Sequence, residues 1–157
     1  MRIIGIDPGI ARTGWGIVDK EKNIIKAVAY GCFETSQKDS LEERLLALYE
    51  GMLSLMDKFS PEVVSVEELF FNTNAKTALI VGHARGVIML AAAKKKLPIA
   101  VYTPLQVKIA VTGYGRAEKK QVGQMIKTLL KLSEVPKLDD TSDALAIGLT
   151  HAFTMKM

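Results

Sequence analysis

Four acidic residues occupy places in the sequence where folding can bring carboxylates together. Asp7 and Glu67 each follow a short run of apolar residues that predicts a buried strand. If those strands are parallel neighbours, both side chains emerge at one edge of the sheet, where open α/β sheets bind ligands. Asp140 and Asp143 lie three residues apart at a predicted helix start, so they share one helical face. Oxygen ligands without cysteine or histidine favour Mg²⁺ or Mn²⁺ over zinc.

Each of these acids also has a purely structural interpretation. A D-x-x-D pattern at a helix start is often only capping and helix-dipole complementation, and an aspartate before Pro-Gly, such as Asp7, is often a turn residue. Glu67 is harder to explain in this way, because a carboxylate directly after Val-Val-Ser-Val costs free energy unless it is partnered or reaches solvent. His151 lies about 16 Å beyond Asp140 along a helix, too far for one metal site, and is predicted to be structural or exposed.

The charge balance favours an anionic substrate once the four acids are assigned to one site. The 157 residues include 21 Lys and Arg against 17 Asp and Glu, a net charge of +4. Setting the four acids aside leaves thirteen acidic against twenty-one basic residues, an excess of eight positive charges. A compact anionic site within a basic surface is what a metal-dependent enzyme acting on phosphodiesters needs.

Composition predicts one cytoplasmic domain that spans residues 1–157. The chain is 48% hydrophobic and has no linker long enough to divide it. Its single cysteine, Cys32, excludes an intrachain disulfide and fits a reducing cytosol. No charged leader precedes a long apolar stretch, and the longest apolar runs are far shorter than the roughly 20 residues that span a bilayer. We therefore expect neither a secreted nor a membrane protein.

The elements that must position the acids follow from apolar periodicity and turn residues. Helix starts are predicted at Ser40, Asn74, Thr103, Glu118 and Thr141, the first with a capping-box pattern. The polar stretch 19–23 is predicted to be a hairpin loop between two strands. Hairpins followed by alternating strands and helices indicate an α/β fold with a mixed five-stranded sheet flanked by helices. The predicted strands cover residues 3–7, 13–18, 24–33 and 99–102, and a further strand begins at Val63 and ends at Glu67 and Glu68.

Five segments occur in order along the chain: IIGIDPGIARTGWGIV, VSVEELFF, HARGVIMLAAA, AEKKQVGQMIKTLLKL and DDTSDALAIGLTHA. In this order they resemble RuvC, the family of bacterial Holliday-junction endonucleases, over nearly the whole chain. The resemblance implies a ribonuclease-H-like fold and a homodimer that makes paired nicks in four-way DNA junctions with a divalent metal. It also suggests cooperation with a branch-migration motor complex of the RuvA and RuvB type.

Carried over by position, Asp7, Glu67, Asp140 and Asp143 match the family's metal-binding catalytic acids. The resemblance implies hydrolysis with two Mg²⁺ or Mn²⁺ ions about 3.5–4 Å apart. Our hypothesis places Asp7 between both ions, Glu67 on one side, and Asp140 and Asp143 on the other. The products would be a 5′-phosphate and a ligatable nick, without a protein nucleophile. Whether the neighbouring acids Glu68 and Asp139 share in metal binding is left open.

Basic residues of the C-terminal half are the candidate DNA contacts. Lys108, Lys119 and Lys120 lie near the starts or middles of predicted helices, and the first two match family positions proposed to contact DNA. Plausible additions are Arg116, Lys76 and Lys127. Any one of them alone is more often part of a solvated charged face, but as a group they predict binding that weakens steeply with salt. By resemblance, Phe70 would wedge or stack against bases at the junction centre.

The predicted helix after Asn74 offers a candidate dimer contact. Gly82-xxx-Gly86 and the run 91–93 provide small residues that allow close backbone approach. Packing against the sheet of the same chain is the alternative interpretation. The resemblance favours a two-fold dimer, because symmetric cuts on opposing strands need two identical sites related by a dyad.

Three other functions remain as alternatives. The first is a RuvC-like nuclease acting on structured RNA, which a junction-versus-RNA cleavage assay separates from a junction enzyme. The second is an actin-like or sugar-kinase-like ATPase, since D-P-G-I-A-R-T-G resembles a phosphate-binding hairpin, but 157 residues leave no space for its second lobe. The third is a non-catalytic junction-binding module, whose signature is binding without metal-dependent cleavage.

Overall fold

The computed structural model describes residues 1–69 and 74–155. Within these residues the predicted five strands and five helices are all present. The strands are β1 (Arg2–Asp7), β2 (Arg12–Glu21), β3 (Ile24–Glu34), β4 (Val63–Glu67) and β5 (Ile99–Tyr102). The helices are α1 (Leu41–Phe59), α2 (Ala75–Lys94), α3 (Pro104–Thr112), α4 (Lys119–Leu129) and α5 (Asp139–Thr154).

The strands form one mixed sheet in the order β3-β2-β1-β4-β5. Strands β1, β2 and β3 are antiparallel neighbours, whereas β4 runs parallel to both β1 and β5. Ile6 pairs with Val66, so the next residues along the two strands, Asp7 and Glu67, reach the same edge of the sheet. The predicted parallel pairing of the two acid-bearing strands is therefore confirmed.

Helices cover both faces of the sheet. Ile4, Ile6, Val64 and Val66 point to the face that α1 and α2 cover, where they form one apolar core. A second core forms on the opposite face, where α5 lies on β1 and β2 and the shorter helices α3 and α4 pack against α5. The central β1 strand is consequently buried between two helical layers, which fixes the place of Asp7 at its end.

Most helix starts agree with the local sequence signals. Ser40 forms its capping box with Glu43, and the Asn74 side chain accepts the first backbone N–H groups of α2. Thr103 caps α3, which ends at Gly113 with a left-handed φ of 76°. Helix α5 begins two residues earlier than predicted, because Asp139 and Asp140 suit the positive end of the helix dipole.

The predicted polar loop between β2 and β3 is shorter than expected. Only Lys22 and Asn23 form the turn, and Lys22 takes a positive φ of 54°. A two-residue turn of this hand matches the twist of a hairpin, so the polar residues before it stay in the strand. Asp19 is one of them, and it accepts two hydrogen bonds from the Arg2 guanidinium, at 2.7 and 2.8 Å.

Helix α2 is long and apolar enough to cross a membrane by length and composition alone. Core helices of soluble proteins can have the same length and composition, so one such helix does not by itself indicate a membrane protein. Arg85 divides the apolar residues of this helix into shorter runs. One side of α2, with Ala84, Ile88 and Ala91, is buried against the rest of the domain. Leu79 and Leu90, by contrast, are each 59% exposed.

Candidate active site

The acid cluster is built at the edge of the sheet where β1 and β4 end. Asp7 and Glu67 are the last residues of neighbouring parallel strands, and both side chains are half-buried. Asp140 and Asp143 come from the first turns of α5, which lies over β1 and β2. The structure thus brings the four predicted acids to one place.

Glycines on the sheet allow α5 to come close enough to deliver its acids. Gly14 pairs with Asp7 across β1 and β2, and a Cβ there would overlap the backbone carbonyl of Asp140. A Cβ at Gly5 would likewise overlap the carbonyl oxygen of Ala144, one helical turn further on. The missing side chains let the helix backbone rest directly on the strands, beside Asp7.

The carboxylates of this cluster interact electrostatically. Burial raises the pKa of Asp7 from its ordinary value of 3.8 to about 8, and the negative charges of the other three acids add to this rise. Burial likewise raises the pKa of Glu67, with a further contribution from Asp143. The pKa of Asp143 is raised by burial as well, although the charge of Lys119 opposes the rise. Such a group of desolvated carboxylates is short of positive charge.

The donor set fits a divalent cation with a preference for oxygen ligands. Carboxylates on one sheet edge and one helix face are ligands that Mg²⁺ and Mn²⁺ accept, and a bound cation would offset the burial and the carboxylate repulsion that together raise the pKa of Asp7. Within residues 1–69 and 74–155, however, no three His, Cys, Asp or Glu side chains converge as a ready-made metal cage.

The two adjacent acids that the sequence left open behave differently from the cluster. Glu68 is exposed, and its backbone N–H donates to the Tyr102 carbonyl at 2.7 Å. The Asp139 side chain is 75% exposed and forms an ion pair with Lys119. Of the two consecutive glutamates, Glu67 is therefore the one beside the other acids.

A cleft of about 250 Å³ lies beside the acids, and two predicted DNA contacts line it. Lys108 and Lys119 share the lining of this cleft with Glu67 and Asp143. The other two predicted cations, Arg116 and Lys120, are exposed at the neighbouring start of α4. Phe70 lies outside the described residues, so its stacking role stays a prediction.

A second groove, which no sequence prediction covered, includes Asp140 in its lining. This groove, of about 480 Å³, is lined by the loop 9–12 and by the first turns of α2. It adds Arg12, an exposed cation 3.7 Å from Glu34, to the surroundings of the acids. The signal was present in the motif D-P-G-I-A-R-T-G, whose arginine follows the strand-terminal aspartate by five residues.

The buried histidine of α5 takes no part in the cluster. His151 lies near the end of the helix, and its Nδ1 shares a 2.7 Å hydrogen bond with the Tyr102 hydroxyl. This bond ties β5 to α5, so of the two interpretations that the sequence allowed, structural or exposed, His151 has the structural one.

Known proteins match this chain along nearly its whole length. The family model described as crossover junction endodeoxyribonuclease RuvC matches residues 3–151. The RuvC of Desulforamulus reducens is 53% identical over 152 residues, which are 97% of this chain and 93% of the relative. The RuvC of Brevibacillus brevis is 55% identical over 152 residues, covering 97% and 92% of the two chains.

Solved structures agree with this match. Thermus thermophilus RuvC in complex with a Holliday junction substrate has 38% sequence identity and a TM-score of 0.93, with 98% of this chain and 93% of that chain covered. The yeast mitochondrial Holliday junction resolvase Ydc2, at 16% identity and a TM-score of 0.65, shares the fold; 96% of this chain and 77% of that chain are covered.

The fold and these matches define an endonuclease with a ribonuclease-H-like fold, a hydrolase of phosphodiester bonds. The chain belongs to the RuvC family of crossover junction endodeoxyribonucleases. The resemblance and the fold class predicted from the sequence are both confirmed. The roles of individual site residues remain predictions.

Proposed function

We propose that this chain resolves four-way (Holliday) DNA junctions by paired symmetric nicks in homologous recombination and DNA repair. One observation carries the proposal: an acidic cluster at the sheet edge opens into a cleft lined by Lys108 and Lys119. Carboxylates and lysines side by side suit a phosphodiester, whose charge needs neutralising while its phosphorus is attacked. Family membership and the junction-bound Thermus thermophilus relative support a DNA junction as the substrate.

The acids proposed to hold the metal are Asp7, Glu67, Asp140 and Asp143. Two Mg²⁺ ions per site, with Mn²⁺ as a substitute, would supply activation of the attacking water and stabilisation of the departing 3′ oxygen, which leaves a 5′-phosphate. The charges of the other three acids all act on the Asp7 carboxylate, which indicates that Asp7 lies among them. We assign it the central position, with Glu67 to one side and the two aspartates of α5 to the other.

The lysines of the cleft are proposed to hold the substrate. The ammonium groups of Lys108 and Lys119 would neutralise phosphate oxygens next to the acids, and Arg116 and Lys120 would contact the backbone further along α4. Phe70 is proposed to stack on bases at the junction centre, as the sequence resemblance implies. The reaction requires no protein nucleophile, since the attacking group is water.

A homodimer is proposed through the exposed side of α2. Leu79, Met89 and Leu90 are exposed on this helix, and a Cβ at Gly86 would meet no atom within 4 Å. Ala91 and Ala92, part of the small-residue run predicted as a dimer contact, are instead buried inside the same chain. The remaining apolar face with Gly86 suits close packing against a second copy, and a two-fold axis would present two acid clusters to opposing strands. A branch-migration motor of the RuvA and RuvB type is the proposed partner in the cytoplasm.

The test is cleavage of a labelled four-way junction beside a linear duplex and a structured RNA, each with Mg²⁺ or EDTA. We expect nicks in the junction alone, which disappear with EDTA and with Asp7→Asn. The matched control is Asp57→Asn, which changes an exposed aspartate of α1 paired with Lys95 and should cleave normally. Cleavage of the RNA would instead favour the structured-RNA nuclease. Junction binding without cleavage across several mobile sequences would favour the binding module.

A further inference from the structure

One ammonium group lies between the acid cluster and an acid that the cluster does not use. The Nζ of Lys119 is 3.3 Å from an oxygen of Asp143 and 3.4 Å from an oxygen of Asp139. Asp139 and Asp143 are four residues apart in α5, so they present their carboxylates on the same helical face. Lys119 is the first residue of α4 and meets both of them from the neighbouring helix.

This lysine supplies positive charge where the cluster is short of it. Its charge acts on the Asp143 carboxylate directly and also on Asp7 at the end of β1. An ammonium ion and a divalent cation cannot share the same carboxylate oxygen at full strength, so Lys119 competes with any metal that Asp143 helps to hold. Occupying the cluster therefore requires that Lys119 leave Asp143.

Asp139 offers that lysine a second carboxylate at the rim. Its side chain is 75% exposed, whereas that of Asp143 is 36% exposed, so the pair with Asp139 faces solvent. A solvent-facing ion pair is weak and easily rearranged, so Asp139 can bind the lysine and still release it. Held there, the ammonium group would stay beside the cleft shared with Glu67 and Lys108.

We propose that Asp139 is a positioning residue that holds Lys119 at the rim of the acid cluster, so that Asp143 can exchange this lysine for a divalent cation. This inference rests on the proposed function, since it gives a role to a residue beside the proposed metal site. It also answers the question that the sequence left open for Asp139: the residue binds the lysine and not the metal.

The experiment is a double-mutant cycle read as Mn²⁺ affinity by titration calorimetry, without DNA. It compares the unmodified protein, Lys119→Gln, Asp139→Asn and the double variant, each checked for folding by circular dichroism. We expect Lys119→Gln to tighten Mn²⁺ binding, because the competing cation is gone. Asp139→Asn should weaken binding about fivefold when Lys119 is present and less than about twofold when it is absent.

Controls separate this coupling from general electrostatics. Lys120→Gln removes the next cation of α4, and Glu134→Gln removes an exposed acid before α5; each should change Mn²⁺ affinity less than its counterpart in the cycle. Equal effects of Asp139→Asn in both backgrounds would overturn the proposal, and a larger effect without Lys119 would make Asp139 a metal ligand instead. The cycle measures only metal affinity, so it is independent of the junction-cleavage test of the proposed function. If the cycle shows no coupling while junction cleavage still depends on Asp7, only the role of Asp139 is rejected.

Discussion

Asp7 illustrates how a proposed catalytic residue costs the fold free energy. Its carboxylate is buried and lies near three other acids, and these two effects together raise its pKa to about 8. In the unfolded chain the same group titrates near 4. The folded protein without metal therefore retains a proton on Asp7 that the unfolded chain releases between these values, and its stability falls as the pH rises through that window.

We predict that Asp7→Asn makes the metal-free protein more stable, by an amount that grows as the pH rises. Asparagine does not ionise, so the variant escapes the penalty that accumulates from about pH 4 and levels off above about pH 8. The measurement is the thermal midpoint of both proteins in EDTA at pH 5, 7 and 9. Asp57→Asn, at an exposed ion pair on α1, should show no such widening. A constant difference between Asp7→Asn and the unmodified protein at all three pH values would contradict the electrostatic account.

The cleft lysines lead to a prediction about salt dependence. If Lys108 and Lys119 each neutralise a phosphate, replacing either by glutamine should lower the slope of log affinity against log salt by about 0.9. The measurement is junction binding in EDTA between low and moderate salt. Lys22→Gln, in the β2–β3 turn at the opposite end of the sheet, serves as the control and should leave the slope unchanged. An unchanged slope for Lys108→Gln or Lys119→Gln would remove that lysine from the phosphate contacts.

At the residue scale, the sequence predicted which acids meet but not which cations they meet. Asp7 and Glu67 were predictable because strand ends in a parallel pair share one edge, a consequence of backbone geometry alone. The pairing of Lys119 with Asp139 and Asp143 depends on how α4 packs beside α5. No local pattern encodes that packing, so the role of Asp139 required the three-dimensional structure.

At the scale of elements, helix starts were predictable and helix placement was not. Capping boxes at Ser40 and Thr103 involve residues three apart, so the sequence displays them directly. The contact between α5 and the sheet depends on Gly5 and Gly14, whose partners lie more than 100 residues away. Residues 19–21 at the end of β2 were predicted as loop, because a run of consecutive polar residues resembles a loop.

We predict that Gly14→Ala displaces the first turn of α5 and lowers activity far more than Gly16→Ala does. The added Cβ at Gly14 would overlap the backbone of Asp140, whereas at Gly16 its close contacts would be with the side chain of Leu145 and no backbone atom would lie nearer than 3.4 Å. Overpacking of this kind costs about 1–3 kcal/mol of unfolding free energy. Denaturant unfolding and junction cleavage should be measured for both variants at a temperature where both are folded. Equal cleavage rates would show that the position of Asp140 does not depend on Gly14.

At the scale of the whole molecule, the exposed side of α2 predicts the oligomeric state. Leu79→Glu and Leu90→Glu place charges on the proposed dimer face and should convert a dimer into a folded monomer. Sedimentation analysis measures the change, and Leu46→Glu, at a 57% exposed leucine of α1, is the matched control. A monomeric unmodified protein, or a dimer that survives both substitutions, would exclude this face as the interface.

Paired nicking depends on a feature at each scale: the acids among the residues, the placement of α5 among the elements, and two copies of the whole molecule. The most direct measurement uses a supercoiled plasmid that extrudes a cruciform, incubated with the protein and Mg²⁺. Two cuts within one bound complex give linear DNA, whereas single cuts give nicked circles. The account predicts linear DNA with ligatable ends, absent with EDTA and with Asp7→Asn. Nicked circles alone, or cleavage that persists in EDTA, would contradict it.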